Sequence, residues 1–138
     1  MVGLPARGKT YIGTKLARYL KWCGLNTKVF NVGEYRRQAT SAYRSHEFFR
    51  HENKEAYSLR IAVSDAALKD ALDFLVDGDV AIFDATNTTR ERREKVFQAV
   101  VKENKFKCLF LESFCDNPKL IEECSNIQKC LSLLMTGL

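Results

Sequence analysis

Eight consecutive residues, Gly3-Leu4-Pro5-Ala6-Arg7-Gly8-Lys9-Thr10, have the types and spacing to hold a polyphosphate. They match G-x-x-x-x-G-K-[ST] at every fixed position. The glycines let the backbone turn tightly and aim successive N–H groups at an oxyanion. A helix that starts on the loop points the positive end of its dipole at the same place. Lys9 has the reach for β- and γ-phosphates, and the Thr10 hydroxyl suits Mg²⁺.

A second dense stretch is Asp84-Ala85-Thr86-Asn87-Thr88-Thr89-Arg90-Glu91-Arg92-Arg93. Asp84 closes an apolar run, where a carboxylate can hold Mg²⁺ through water or take a proton from an attacking hydroxyl. The plain alternative is a strand-end aspartate that caps the next turn. Small hydroxyl and amide side chains ahead of a helix make an anion or sugar-hydroxyl site. Arginines in a first helical turn oppose the dipole, and a bound phosphate would offset that. The plain alternative here is a solvated basic turn. Neither His46 nor His51 is placed as a base, which leaves Asp84 as the one nominated carboxylate.

These residues need elements to position them. Ile12, Leu16, Tyr19 and Leu20 share one helical face after the loop, and Cys23-Gly24 gives a stop. Residues 27–33 read as a strand. Residues 34–52 are polar and arginine-rich, and read as a loop with a helical turn or two. Tyr57, Ile61, Ser64, Asp65, Leu68, Leu72, Leu75 and Val76 predict an amphipathic helix over 53–76, ended by Asp77-Gly78-Asp79. Val80–Phe83 and Cys108–Leu111 read as strands buried on both faces of a parallel sheet. Between them, Thr88 to Glu91 looks like a capping box that opens a helix to about Asn104. Alternating strands and helices predict an α/β fold with a parallel sheet flanked by helices on both faces. Ligands of such sheets bind beyond the carboxyl ends of the strands. The loop, Asp84, the turn 86–89 and the segment 112–116 all fall at that edge. Only Met1 and Val2 precede the loop, so the chain is expected to begin inside its first strand.

Composition narrows the class. The 138 residues carry a net charge of +5, yet the basic residues are spread along the chain. Arg7, Lys9, Arg36, Arg37, Arg90, Arg92 and Arg93 gather near the candidate phosphate sites. Phosphorylated small molecules explain that better than nucleic acid does. No apolar run nears the roughly 20 residues that span a bilayer, so no membrane partner is expected. The five cysteines form no C-x-x-C pair and no zinc signature. They read as reduced thiols in a cytoplasmic protein.

The chain also resembles a known family. G-L-P-A-R-G-K-T, G-E-Y-R-R (Gly33–Arg37), F-F-R-x-x-N (Phe48–Asn53), F-D-A-T-N-T-T-R-E-R-R (Phe83–Arg93) and E-S-x-C-D (Glu112–Asp116) run collinearly. Together they look like the kinase domain of 6-phosphofructo-2-kinase/fructose-2,6-bisphosphatase. The run Phe83–Arg93 is the specific part, since the phosphate loop alone is shared widely. The resemblance implies a P-loop-containing nucleoside triphosphate hydrolase fold. It also implies ATP- and Mg²⁺-dependent phosphorylation of fructose 6-phosphate at its 2-hydroxyl. By similarity, Gly3, Leu4, Pro5, Ala6, Arg7, Gly8, Lys9 and Thr10 bind ATP, with Lys9 on the transferring phosphate. Thr10 and Asp84 serve the metal. Arg36, Arg60, Thr86 and Arg92 fall where the family binds the sugar phosphate, and Asp84 and Cys115 fall at its active-site positions. From the residues alone, Arg60 reads as a solvated helix residue and Cys115 as a small buried thiol.

The likeness covers residues 1–118, an incomplete kinase domain. Residues 119–138 read as a divergent tail: Asn126-Ile127 echoes a family motif whose following Val-Lys pair is missing. No Arg-His-Gly motif marks a phosphatase domain. A homodimer and association with a full-length family member are both open as assemblies. Two other readings stand beside the kinase. One is a different small phosphate-loop kinase acting on a nucleotide or polynucleotide. The other is a non-catalytic fragment that binds nucleotide or a partner.

Overall fold

The first helix, α1 (Lys9–Trp22), begins on the last residues of the glycine-rich loop and stops where the sequence says it must. Gly24 takes a left-handed φ of +87°. Its N–H donates to Lys21 O and that of Leu25 to Leu20 O, both at 3.0 Å. This paired closure satisfies the last carbonyls, and glycine enters it without a Cβ penalty. The buried face is turned from the one expected. Gly13 and Ala17 are buried and Leu16 and Leu20 half-buried, while Ile12 and Tyr19 are exposed. Small residues allow a closer approach than the larger side chains would. Tyr19 instead lies beside Trp22, with ring centroids 6.2 Å apart.

The computed structural model describes residues 1–39 and 54–134, without the side chains of Glu55 and 127–134. His46, His51 and the motif Phe48–Asn53 lie outside the described residues. The chain divides into two compact units, one of Leu16–Ala85 and one of Met1–Lys15 with Thr86–Leu138.

In the unit Leu16–Ala85, strand β1 (Thr27–Asn31) pairs in parallel with β2 (Val80–Asp84), in register from Thr27 opposite Val80 to Asn31 opposite Asp84. The expected strand 27–33 ends two residues early because Asn31 caps a helix. Its Oδ1 accepts from Glu34 N at 3.0 Å, and α2 (Val32–Ala39) follows directly. That helix occupies part of the segment expected to be mainly loop. Helix α3 (Lys54–Phe74) packs on both strands and on α2. Its buried face is mostly small: Ala56, Val63, Ser64, Ala67, Leu68 and Ala71. Tyr57 and Val76, expected on that face, are exposed. Phe30 is 2% exposed and meets Phe74 at 5.8 Å between centroids. β2 is less enclosed than its apolar run suggests. Ile82 is buried, but Val80, Ala81 and Phe83 are half-buried, because the ladder has two strands among the described residues.

In the other unit, Val2 bridges Glu112 in parallel. Val2 N donates to Leu111 O at 2.8 Å, and Ser113 N donates to Val2 O at 2.9 Å. The expected strand Cys108–Leu111 does not form. The parallel register sets Met1 opposite Leu111, so residues 108–110 have no residue of this sequence opposite them, while Gly3 N donates to Thr86 O at 2.9 Å. Leu109 is accordingly 84% exposed. Helix α4 (Arg90–Phe97) passes into a wider π-helical stretch, Gln98–Glu103, so the helical body reaches Asn104 as expected. Its cap is Thr89 and not Thr88: Thr89 Oγ1 accepts from Arg92 N at 3.3 Å. Asn87, with a left-handed φ of +46°, uses up one residue in the turn. The start therefore shifts by one, and the box from Thr88 to Glu91 is not made.

Helix α5 (Pro118–Leu134) fills most of the segment read as a tail. Its start signal was legible: Asn117 Oδ1 accepts from Lys119 N at 3.1 Å, with proline in the first helical position. Among the described residues no helix is long and apolar enough to cross a membrane.

Candidate functional site

The loop between Val2 and α1 owes its shape to backbone that few residues can adopt. Gly3 sits at φ +141° and Gly8 at +79°, and Ala6 holds a left-handed +57°. A Cβ on Gly3 would stand 2.5 Å from Ser113 O. Glycine is required there by both the dihedral and the contact. Lys9 opens α1 and is buried, with Nζ donating to Leu4 O at 2.6 Å. The ammonium thus folds back over the loop that precedes it. Thr10, in the same first turn, is exposed, and that turn carries no acidic residue. N–H groups at a helix start, one lysine and one hydroxyl form a donor set suited to a polyphosphate.

The loop is tied down from two sides within its own unit. On one side, Gly3 N donates to Thr86 O, and Asn87 Nδ2 donates to Met1 O at 2.9 Å. On the other, Ser113 Oγ donates to Arg7 O. Thr86 is exposed, whereas Asn87 is 1% exposed. Asn87 also accepts on Oδ1 from Arg92 Nε at 3.3 Å. Arg93 Nη1 donates to Asn87 O at 3.1 Å and to Thr88 O at 2.7 Å. Arg92 and Arg93 are therefore engaged by the carbonyls and amide of the preceding turn, where a phosphate is the expected offset to the dipole. Cys115 is half-buried, two residues after Ser113. An open hollow of about 370 Å³ is lined by Arg90 and Arg93 of the candidate stretch with Glu94, Phe97 and Phe110, and by no residue of the loop Gly3–Thr10.

The unit Leu16–Ala85 holds the remaining three. Asp84 is buried at the end of β2, and its Oδ2 accepts from Asn31 Nδ2 at 2.5 Å. Asn31 thus serves twice, capping α2 with Oδ1 and holding the carboxylate with Nδ2. Arg36 is half-buried on α2. Arg60 lies on α3 with its guanidinium 5.8 Å from the centre of the Tyr57 ring. Tyr35, next to Arg36, donates its hydroxyl to Asp70 Oδ2 at 2.6 Å. Partial burial, the bond to Asp70 and the charges of Asp70 and Glu34 push the phenol up to about 12. Among the described residues no three His, Cys, Asp or Glu side chains gather as a metal cluster.

The site so built is a phosphate-type loop with polar tethers, followed at a distance in sequence by an aspartate-ended strand and a threonine–arginine turn. A model of the family described as 6-phosphofructo-2-kinase matches residues 1–133.

The chain belongs to the 6-phosphofructo-2-kinase family.

Relatives agree. The human protein named 6-phosphofructo-2-kinase/fructose-2,6-bisphosphatase 3 is 55% identical over 131 residues, 94% of this chain and 25% of its own length. The rat protein named 6-phosphofructo-2-kinase/fructose-2,6-bisphosphatase 1 is 58% identical over 125 residues, 89% of this chain and 26% of its own. A chicken protein with the same two-activity name is 54% identical over 125 residues. The chain spans about a quarter of the length of the curated relatives it matches.

Sequence reasoning gave no individual role to three residues that shape the site: Asn31, and Asn87 and Ser113 within the quoted motifs. Asn87 had a signal, since asparagine is enriched in left-handed backbone ahead of a helix. Asn31 had one as well, standing where a strand gives way to a polar stretch. Ser113 had its place in the motif Glu112–Asp116 after an apolar run, which gives it no particular partner.

Proposed function

We propose that the chain carries the ATP-binding and acceptor-binding machinery for phosphorylating fructose 6-phosphate at its 2-hydroxyl. The observation that carries this is the ready-shaped loop Gly3–Thr10, with Lys9 and Thr10 in the first turn of α1, in a chain of this family. The fold that goes with the reading is that of P-loop nucleoside triphosphate hydrolases, with a parallel sheet covered by helices on both faces.

The residues present fit Mg·ATP. The left-handed backbone at Ala6 and Gly8 is of the kind that anion-binding nests use. Lys9 rests on a carbonyl of the loop, a bond that a phosphate oxygen would replace with a charge-assisted one. Bound ATP supplies the phosphoryl group, and Mg²⁺ offsets the charge on its oxygens. Thr10 offers the metal a hydroxyl. Asp84, oriented by Asn31, is the carboxylate nominated to receive the proton of the 2-hydroxyl or to hold the metal through water. Arg36, Arg60, Thr86 and Arg92 bind the sugar phosphate, with Asn87 orienting Arg92. Cys115 borders the site. The same reading places the protein in the cytoplasm.

Thermal unfolding with Mg·ATP, with and without fructose 6-phosphate, tests this first, because a ligand that binds only the folded form raises the midpoint. ATP should raise it and the sugar phosphate should raise it further. Transfer of labelled phosphate to fructose 6-phosphate then tests turnover. Lys9→Ala should abolish the ATP-dependent rise, and Arg92→Ala should abolish the sugar-phosphate rise alone. ATP binding without transfer would reduce the chain to a nucleotide-binding module. No response to either ligand would overturn the reading.

A further inference from the structure

Ser113 belongs to none of the candidate sets, yet three independent features join it to the glycine-rich loop. Its Oγ donates to the carbonyl of Arg7, in the middle of the loop. Its N–H donates to Val2 O, one residue before the loop, at 2.9 Å. Its own carbonyl oxygen fills the space beside Gly3, 2.5 Å from where a Cβ would be. The residue is itself buried, and the bond to Arg7 is part-buried.

The bond to Arg7 has a directional consequence. Arg7 C=O and Gly8 N–H belong to one planar trans peptide and point in opposite senses. Holding the carbonyl toward Ser113 therefore turns the Gly8 N–H away from it. Gly8, at φ +79°, is the residue through which the chain enters α1. In an anion-binding nest the value of each N–H depends on its being aimed before the anion arrives. Backbone that must be ordered on binding subtracts from affinity.

We infer that Ser113 is a positioning residue that keeps the loop in its phosphate-receiving shape by fixing the Arg7–Gly8 peptide plane. This rests on the phosphate-binding part of the proposed function. The same serine sits two residues before Cys115, so it ties the loop to the segment that carries that cysteine.

The test is calorimetric titration of the full chain with Mg·ATP and, separately, with magnesium tripolyphosphate, which reads the loop without an adenine. Ser113→Ala removes the hydroxyl. Ser113→Cys keeps the space filled with a much weaker donor. Ser113→Thr keeps the hydroxyl. Losing one buried hydrogen bond that shapes the site should weaken both ligands about 5- to 10-fold in the Ala and Cys variants. The Thr variant should recover most of that loss. Affinities are read at a temperature where each variant is fully folded. A purely structural serine would lower the midpoint without ligand and leave both affinities at the parent value, and that result would overturn the inference while sparing the phosphate-binding reading. A parent chain that binds neither ligand would overturn the reading and the inference together.

Discussion

The two units of this chain are held by different forces. In Leu16–Ala85 a parallel ladder and a small-residue face of α3 enclose Phe30, Ile82 and a row of alanines. In the other unit the counterpart of a ladder, among the described residues, is a single bridge, Val2 with Glu112. Around it the loop is fixed by side chains: Asn87 on Met1 O, Ser113 on Arg7 O, and Arg92 and Arg93 on the turn 87–88. Large apolar side chains there, Leu109 and Phe114, are more than three-quarters exposed. Apolar burial is non-directional and tolerates adjustment. Polar tethers are directional, so they fix where a backbone N–H points but contribute modestly to stability. A loop that must aim donors at a phosphate gains more from the second kind.

That contrast can be broken by substitution. Phe30→Ala should have the largest effect, about 3–5 kcal/mol of stability, because it empties a fully enclosed ring site against Phe74. Urea unfolding measures it, and a loss under about 1 kcal/mol would show that the unit is not held by its apolar core. Gly3→Ala adds only a methyl group, yet it meets Ser113 O and a φ of +141°. It should cost about 1–3 kcal/mol and also remove the ATP-dependent rise in midpoint. A Gly3→Ala chain that binds ATP like the parent would show that the loop's geometry is not what receives the phosphate.

The smallest effect sharpens the contrast from the other direction, by testing a polar tether inside the apolar unit. Tyr35→Phe removes the bond to Asp70 from a half-exposed site, so the cost should stay below about 1 kcal/mol. Its pH dependence has a definite sign. The folded phenol titrates near 12, above its ordinary value of 10.0. Its contribution is therefore intact below pH 10 and is lost as pH rises toward 12. Absorbance titration of tyrosinate should show a component near pH 12 vanish in Tyr35→Phe. If the alkaline limb is unchanged, Tyr35 is not the tyrosine that titrates there.

Much of this was legible in advance. The loop motif, the helix after it and its Gly24 stop, the strand ending in Asp84, and the long helix before that strand follow from local residue types and spacing. The misses share a cause. Cys108–Leu111 has the composition of a buried strand, but a strand needs a neighbour, and in the parallel register of Val2 with Glu112 residues 108–110 have no residue of this sequence opposite them. The cap moved from Thr88 to Thr89 because Asn87 took a left-handed turn. Tyr19 and Tyr57 satisfied the helical period yet stand outside, while Gly13, Ala17, Ala67 and Ala71 are among the buried residues of their helices.

The sequence by itself determined the chemistry on offer and the family, because a phosphate loop and the run Phe83–Arg93 are sets of residue types at fixed spacing that need no fold to be recognised. Only the tertiary structure decided how that chemistry is held. Lys9 rests on Leu4, Arg92 is oriented by Asn87, Asp84 is held by Asn31, and the loop is clamped by Ser113 from 106 residues away in the chain. Hydrogen bonds over such separations depend on where the backbone brings two groups. Nothing in the local pattern of residue types records that.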